Sequence, residues 1–149
     1  MKKNQKLVFA LLFSFSVSSL AAPNNYLSPN ILEQMFSWWN GIINTEQELK
    51  AEDFARFFTK DAAIVLNGNE GVRGVNNMPE YFEKIRARSE YIEIVFPFKE
   101  QFQTDNKIFT YHTIRSTSNG VEQVSHNMGY AIIKNGKIAY VSLARFTLD

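Results

Sequence analysis

Two periodicities divide the chain. Between residues 28 and 89 apolar side chains mostly recur every three or four positions, and after Glu90 they alternate, as in a strand with one buried face. Ser28 followed by Pro29 predicts a helix start, with a capping hydroxyl and a ring tolerated in the first turn. Behind it Ile31, Leu32, Met35, Phe36, Trp39, Ile42 and Ile43 form one apolar stripe. A second helix is predicted over 46–58, with Leu49, Phe54, Phe57 and Phe58 on its buried side. The run DAAIVLNG at 61–68 reads as a short strand ending in a turn. A third helix is expected from Asn77, with Pro79 in its first turn and Tyr81, Phe82 and Ile85 inward, ending near 88–89.

The second half reads as strands. Residues 91–103 form the first, in which Pro97 should mark a bulge or an edge. After the turn at Asp105-Asn106 come strands over 107–117, 121–134 and 137–148, separated by Ser118-Asn119-Gly120 and Asn135-Gly136. An Asn-Gly pair between alternating runs is a strong hairpin signal. Three helices, a short strand and a meander of four antiparallel strands give an α+β layout.

The turns set which polar residues meet. With Asn135-Gly136 as a two-residue turn, His126 faces Arg145, Met128 faces Leu143 and Tyr130 faces Val141. With a three-residue loop at 118–120, His112 faces His126 and Thr110 faces Met128. His112, His126 and Arg145 then form one row across three strands. They share a face with Ile108, Ile114, Val124, Met128, Tyr130, Ile132, Val141 and Leu143, the more apolar side and the one expected under the helices. A two-residue loop at 119–120 would instead set His112 against Asn127 and abolish the row. Buried polar groups are costly unless paired, so such a row means either a ligand pocket or groups that satisfy one another.

The N-terminus changes the charge picture. Lys2, Lys3 and Lys6 precede an uncharged apolar stretch from Leu7 to Leu20, and Ala21 and Ala22 follow. This is the layout of a secretory signal peptide, with the cut expected after Ala21 and 22–28 as an exposed lead-in. Fourteen moderately apolar residues fall short of the roughly 20 that span a bilayer. No Cys follows, which excludes lipoprotein anchoring, and the protein is expected to be periplasmic or secreted, with no membrane span in the mature chain. The full chain of 149 residues carries 16 Lys and Arg against 15 Asp and Glu; without the leader the balance becomes 13 to 15.

That near-neutral balance gives no footprint for nucleic acid. No cysteine and only two histidines leave no thiolate chemistry and no expected metal site or cofactor. Lys84, Arg86 and Arg88 share a helix face with Glu80 and Glu83, as on a solvated, ion-paired surface. Phe96, Pro97 and Phe98, with Phe109, Tyr111, Tyr140 and Phe146 on the other sheet face, are too many large rings to leave bare and suggest a homodimer surface.

The element order, with FARFFTKDAAIVLNG, VRG, YFEKIRAR and NGKIAYVSLARF, resembles the nuclear-transport-factor-2-like superfamily, which includes SnoaL-like polyketide cyclases, ketosteroid isomerases and scytalone dehydratase. The resemblance covers residues 29–149 and implies a single domain. It would be a cone-shaped α+β barrel, its strongly curved, mostly antiparallel sheet wrapping three helices around an apolar cavity, often in a dimer. The isomerases' catalytic groups do not carry over. Leu66 stands where their carboxylate base would be, Trp38 or Trp39 where their tyrosine would be, and the Met128 neighbourhood where their second acid would be. His112 and Arg145 fall at cavity-lining positions.

Three functions follow as expectations. The first is binding, without efficient turnover, of a small, largely apolar ligand whose carbonyl or anionic group meets His112, His126 and Arg145. Trp38, Trp39, Phe58, Leu66, Phe82, Thr110, Ile114, Met128 and Tyr130 would complete that pocket. The second is a SnoaL-like isomerase, cyclase or dehydratase using a histidine base, with the same His112, His126 and Arg145 as catalytic candidates. The third is a protein-interaction module whose cone is filled by its own aromatics. The volume of the cavity separates the third from the others.

Overall fold

Asn30, rather than Ser28, opens the first helix in the computed structural model, which describes residues 28–148. The expected signal peptide and all but the last residue of the lead-in lie outside the described residues. Asn30 Oδ1 accepts from the amides of Leu32 and Glu33, both at 3.0 Å, and Glu33 Oε2 accepts from the Asn30 amide at 3.0 Å. This reciprocal cap outcompetes a lone serine and starts α1 (Ile31–Ile42) after Pro29.

Helix α2 (Ala51–Ala55) is much shorter than the 46–58 expected from spacing. Its first turn forms where the Lys50 amide donates to Asp53 Oδ2 at 3.1 Å. Its C-terminal aromatics are claimed by the sheet: the Phe57 carbonyl accepts from the Ile138 amide at 2.8 Å, and Phe58 begins β1 (Phe58–Leu66). Sheet pairing therefore overrides helical spacing here. Beyond β1, Asn67 and Gly68 take φ of 52° and 80°, a tight left-handed turn, and the chain doubles back as β2 (Asn69–Arg73). No alternation in the sequence predicts this short, polar strand. A 3-10 turn, Val75–Asn77, leads into α3 (Met78–Arg86), which has Pro79 in its first turn as expected and ends two residues early.

The strand expected over 91–103 is two strands. β3 (Tyr91–Ile94) and β4 (Glu100–Gln103) flank the break at Phe96–Pro97, and both pair with β5 (Lys107–Ser118). β6 (Val121–Lys134) and β7 (Lys137–Phe146) complete a seven-stranded sheet in the order β2-β1-β7-β6-β5-β3, with β4 also on β5. All pairings are antiparallel except β1 with β7, so the expected four-strand meander is extended rather than replaced.

The sheet is curved, and the helices lie in its concave side. Leu32 and Met35 from α1, Phe54 from α2 and Met78 from α3 meet Ile108, Ala131 and Ile138 in the fully buried core. At Gly129 of β6 a Cβ would stand 1.9 Å from the Ser142 carbonyl oxygen, so only glycine permits the close approach of β7 there. Two asparagines fix α1 against the free edge of β3. Asn40 exchanges hydrogen bonds with the backbone of Ile94 (2.7 and 2.9 Å), and Asn44 does the same with Ile92 (2.8 and 2.9 Å).

Candidate functional site

The turn joining β5 and β6 has two residues. Asn119 and Gly120 take φ of 52° and 71°, and Ser118 pairs directly with Val121. His112 therefore faces Asn127, not His126. The turn joining β6 and β7 has the expected register at Lys134 and Lys137, but an irregularity between Ile132 and Ile133 shifts it by one residue. Beyond the shift Asn127 faces Arg145, and His126 faces Phe146. The expected row of His112, His126 and Arg145 is thus replaced by His112, Asn127 and Arg145.

A one-residue change of register turns a strand over. Ser125, Asn127, Gly129 and Ala131 point into the concave side, while Val124, His126, Met128, Tyr130 and Ile132 share the convex side, contrary to expectation. His126 is buried there, its Nδ1 3.3 Å from Thr113 Oγ1 and its ring 5.7 Å from Tyr111 and 5.8 Å from Phe146. Tyr130 lies near Phe109 and Tyr140, and Met128 is 51% exposed.

The concave side encloses a cavity of about 830 Å³ between α1, α3 and the sheet. Six of the expected residues line it: Trp39, Leu66, Phe82, His112, Ile114 and Arg145. The others do not. Trp38 packs away from it against Phe54 and Phe57, with the Arg56 guanidinium 5.3 Å from its ring centre. Phe58 belongs to the closed core, and Thr110 supports His112 instead of lining the cavity. The polar residue of the row that lies outside the expected set is Asn127; several apolar lining residues, such as Met35, Phe36 and Ile64, are likewise outside it. The signal for Asn127 was present, since Asn119-Gly120 is the same dipeptide as Asn135-Gly136 and closes the same two-residue turn.

The polar row runs from buried to exposed. His112 is fully buried between the rings of Phe36 (5.1 Å) and Phe98 (5.2 Å). Its Nδ1 lies 3.1 Å from Thr110 Oγ1 and its Nε2 3.4 Å from Asn127 Nδ2. With the amide standing Nδ2 toward it, Nε2 is the acceptor and the ring proton belongs on Nδ1, toward Thr110. Burial pulls the imidazole down to about 4, so it is neutral at physiological pH. Asn127 is 4% exposed, and no group among the described residues donates to its Oδ1. Arg145 is exposed at the outer end, its Nε donating to Ser125 Oγ at 3.0 Å and its amide to Asn67 Oδ1 at 2.7 Å.

Elsewhere the inner walls are mostly apolar, with Met35, Phe36, Ile64, Ile94, Val141 and Leu143 among them and Ser116 as a polar exception. Two exposed ion pairs belong to the rim, Glu70–Arg73 (2.5 Å) and Glu80–Lys84 (2.6 Å). Hydrogen bonds from their cations hold both carboxyls below their ordinary range. Among the described residues no group of His, Asp and Glu could hold a metal ion, and no helix is long and apolar enough to cross a membrane.

No family model matches the sequence, and no curated protein is detectably similar to it. Solved structures do match. An NTF2-like protein of unknown function from Exiguobacterium sp. 255-15 superposes with a TM-score of 0.65 at 17% identity, over 80% of this chain and all of that one. The fold is the NTF2-like cone. TerC, co-crystallised with polyporic acid, matches this cone with a TM-score of 0.61 at 11% identity, over 76% of this chain and 86% of its own. A putative SnoaL-like polyketide cyclase from Jannaschia sp. CCS1 matches with a TM-score of 0.58 at 9% identity, over 77% and 82%. At these identities the likeness establishes the cone and nothing finer. Leu66 lines the cavity and offers no carboxylate.

Proposed function

We propose that this protein is exported and binds a small, largely apolar molecule inside the cone without turning it over. The observation that carries this reading is the cavity of about 830 Å³, with an apolar inner lining crossed by the polar row and a polar rim, a size and character suited to one small ligand. A carbonyl or anionic group on the ligand would meet Arg145, whose guanidinium stands where the row reaches solvent. TerC, of the same fold, was co-crystallised with polyporic acid, which is in keeping with this reading.

Binding is favoured over chemistry by the state of His112. A general base works best with an affinity for protons near the operating pH and with free access to the proton it takes. His112 is held far below that range, and both ring nitrogens already have neighbours. The two glutamates on the rim are exposed and engaged with cations. An interaction module with a self-filled cone fits poorly, because the aromatic side chains leave the cavity open.

The convex face supports the dimer part of the reading. Phe109, Tyr111, Met128, Tyr130, Tyr140 and Phe146 give it a broad, largely aromatic centre, and a second copy of the same face is a self-complementary partner. Sedimentation equilibrium should return twice the monomer mass. Export and ligand are tested together by isolating the protein after expression with its own leader. Intact-mass analysis is expected to show cleavage after Ala21, and organic extraction to release a small molecule in about stoichiometric amount. An uncleaved chain in the cytoplasm would overturn export, and a cavity that takes up neither a native ligand nor any apolar probe would overturn binding.

A further inference from the structure

We infer that the buried end of the polar row recognises an uncharged hydrogen-bond donor, a hydroxyl or an N–H, on an otherwise apolar ligand, with Asn127 Oδ1 as the acceptor. This rests on the cone being a ligand site and specifies what the ligand must carry.

Three observations converge on it. Asn127 lines the cavity and is more than nine-tenths buried, yet its Oδ1 receives no hydrogen bond from any described residue. Native proteins seldom leave such an atom unpaired, because removing it from water without a partner costs the full desolvation of the group. Its own amide nitrogen stands toward His112 Nε2, which leaves Oδ1 without a partner; turned by 180°, the same amide would leave a donor instead. A carboxamide oxygen accepts only, so the missing partner is a donor.

The neighbours exclude an anion at this point. His112, closed in by Phe36 and Phe98 and bonded to Thr110, presents no cation to the cavity. A carboxylate placed against Asn127 Oδ1 would set oxygen against oxygen, with an imidazole that presents no cation beside it. The one guanidinium of the row, Arg145, stands on the next strand directly opposite Asn127 and is exposed. The row therefore sorts a ligand along its length, with a neutral donor inside at Asn127 and any acceptor or negative group further out at Arg145. A cyclic alcohol or phenol with a carbonyl one or two bonds away has this disposition. A simple apolar carboxylic acid does not.

Three probes of one shape test this: 2-naphthol, 2-methoxynaphthalene and 2-naphthoate, titrated at neutral pH and followed by chemical-shift changes of the Asn127 side-chain amide and the indole of Trp39. The hydroxyl compound is expected to bind about tenfold more tightly than the ether, the worth of one buried hydrogen bond. The Asn127→Leu variant should bind both about equally. If naphthol and ether bind alike to the native protein, donor recognition is wrong while the pocket stands. A preference for naphthoate or the ether would reverse the assignment and make the inner end an acceptor-seeking site. If none of the three moves either signal, the ligand-pocket reading itself fails.

Discussion

The two faces of β6 differ in the size of what they carry. Inward it presents Ser125, Asn127, Gly129 and Ala131; outward it presents Val124, His126, Met128, Tyr130 and Ile132. Ordinarily the bulkier apolar side of a strand is the covered one, and by that rule the faces of β6 would be exchanged. The difference teaches what a cavity demands of a sheet. Small inward residues on the central strand leave room that helices do not fill, and the large residues move outside, where rings such as Tyr130 and Tyr140 shelter one another. The two histidines illustrate the same division. Both are buried and both place Nδ1 beside a threonine hydroxyl, yet His112 faces the cavity and His126 the convex side.

The contrast can be broken most severely at Gly129. Replacing it with alanine puts a methyl group on the small face, against the backbone of Ser142 where no side chain can yield. Gly129→Ala should lower stability by about 3 kcal/mol or more, as overpacking against fixed atoms does, and chemical denaturation would read it. A loss below 1 kcal/mol would mean that the two strands are not held so close.

Acid sharpens the comparison next. In the unfolded chain an imidazole takes its proton near 6.5, while His112 in the fold resists it until about 4. Between those values the unfolded state binds more protons, so the contribution of His112 is complete above 6.5 and is lost as the pH falls toward 4. The amount at stake is about 3 kcal/mol. Stability against pH for the native protein and for His112→Phe, which fits among Phe36 and Phe98, should diverge across that window. Parallel curves would show that the inward imidazole is not sheltered.

The smallest effect is expected from an attempt to exchange the faces. One glycine inserted between Asn119 and Gly120 offers the three-residue loop that would bring His126 opposite His112. The pairing should hold instead, because slipping it would drive Tyr130 inward and Asn127 outward along the whole strand. The loop should absorb the residue for less than about 1 kcal/mol. Cross-strand proton contacts between His112 and Asn127 would persist; contacts between His112 and His126 would refute this account of register.

Much of the fold was legible in the sequence because it is local. The first and third helices, β5, β6 and β7 and the break at Pro97 follow from spacing, prolines and Asn-Gly turns, although the first helix is capped by Asn30 rather than Ser28 and Asn77 makes no capping hydrogen bond. The cone itself came with the resemblance rather than from periodicity. What failed was long-range. Phe57 and Phe58 sit at helical spacing but are claimed by β7, and β2 is too short and polar to announce itself beyond its own Asn67-Gly68 turn. The site was half legible. His112 and Arg145 were found, but Asn127 required the loop at 118–120 to be counted as two residues and a one-residue irregularity near Ile132 that no pattern reveals.

The asparagines of α1 carry one more consequence. β3 ends the sheet on one side, and an open strand edge invites a neighbouring molecule to add a strand of its own. Asn40 and Asn44, one helical turn apart, occupy the outward amides and carbonyls of Ile94 and Ile92, so each carboxamide stands in for the missing strand. The helix that roofs the cavity thereby also blunts the border along which copies of the protein would otherwise polymerise.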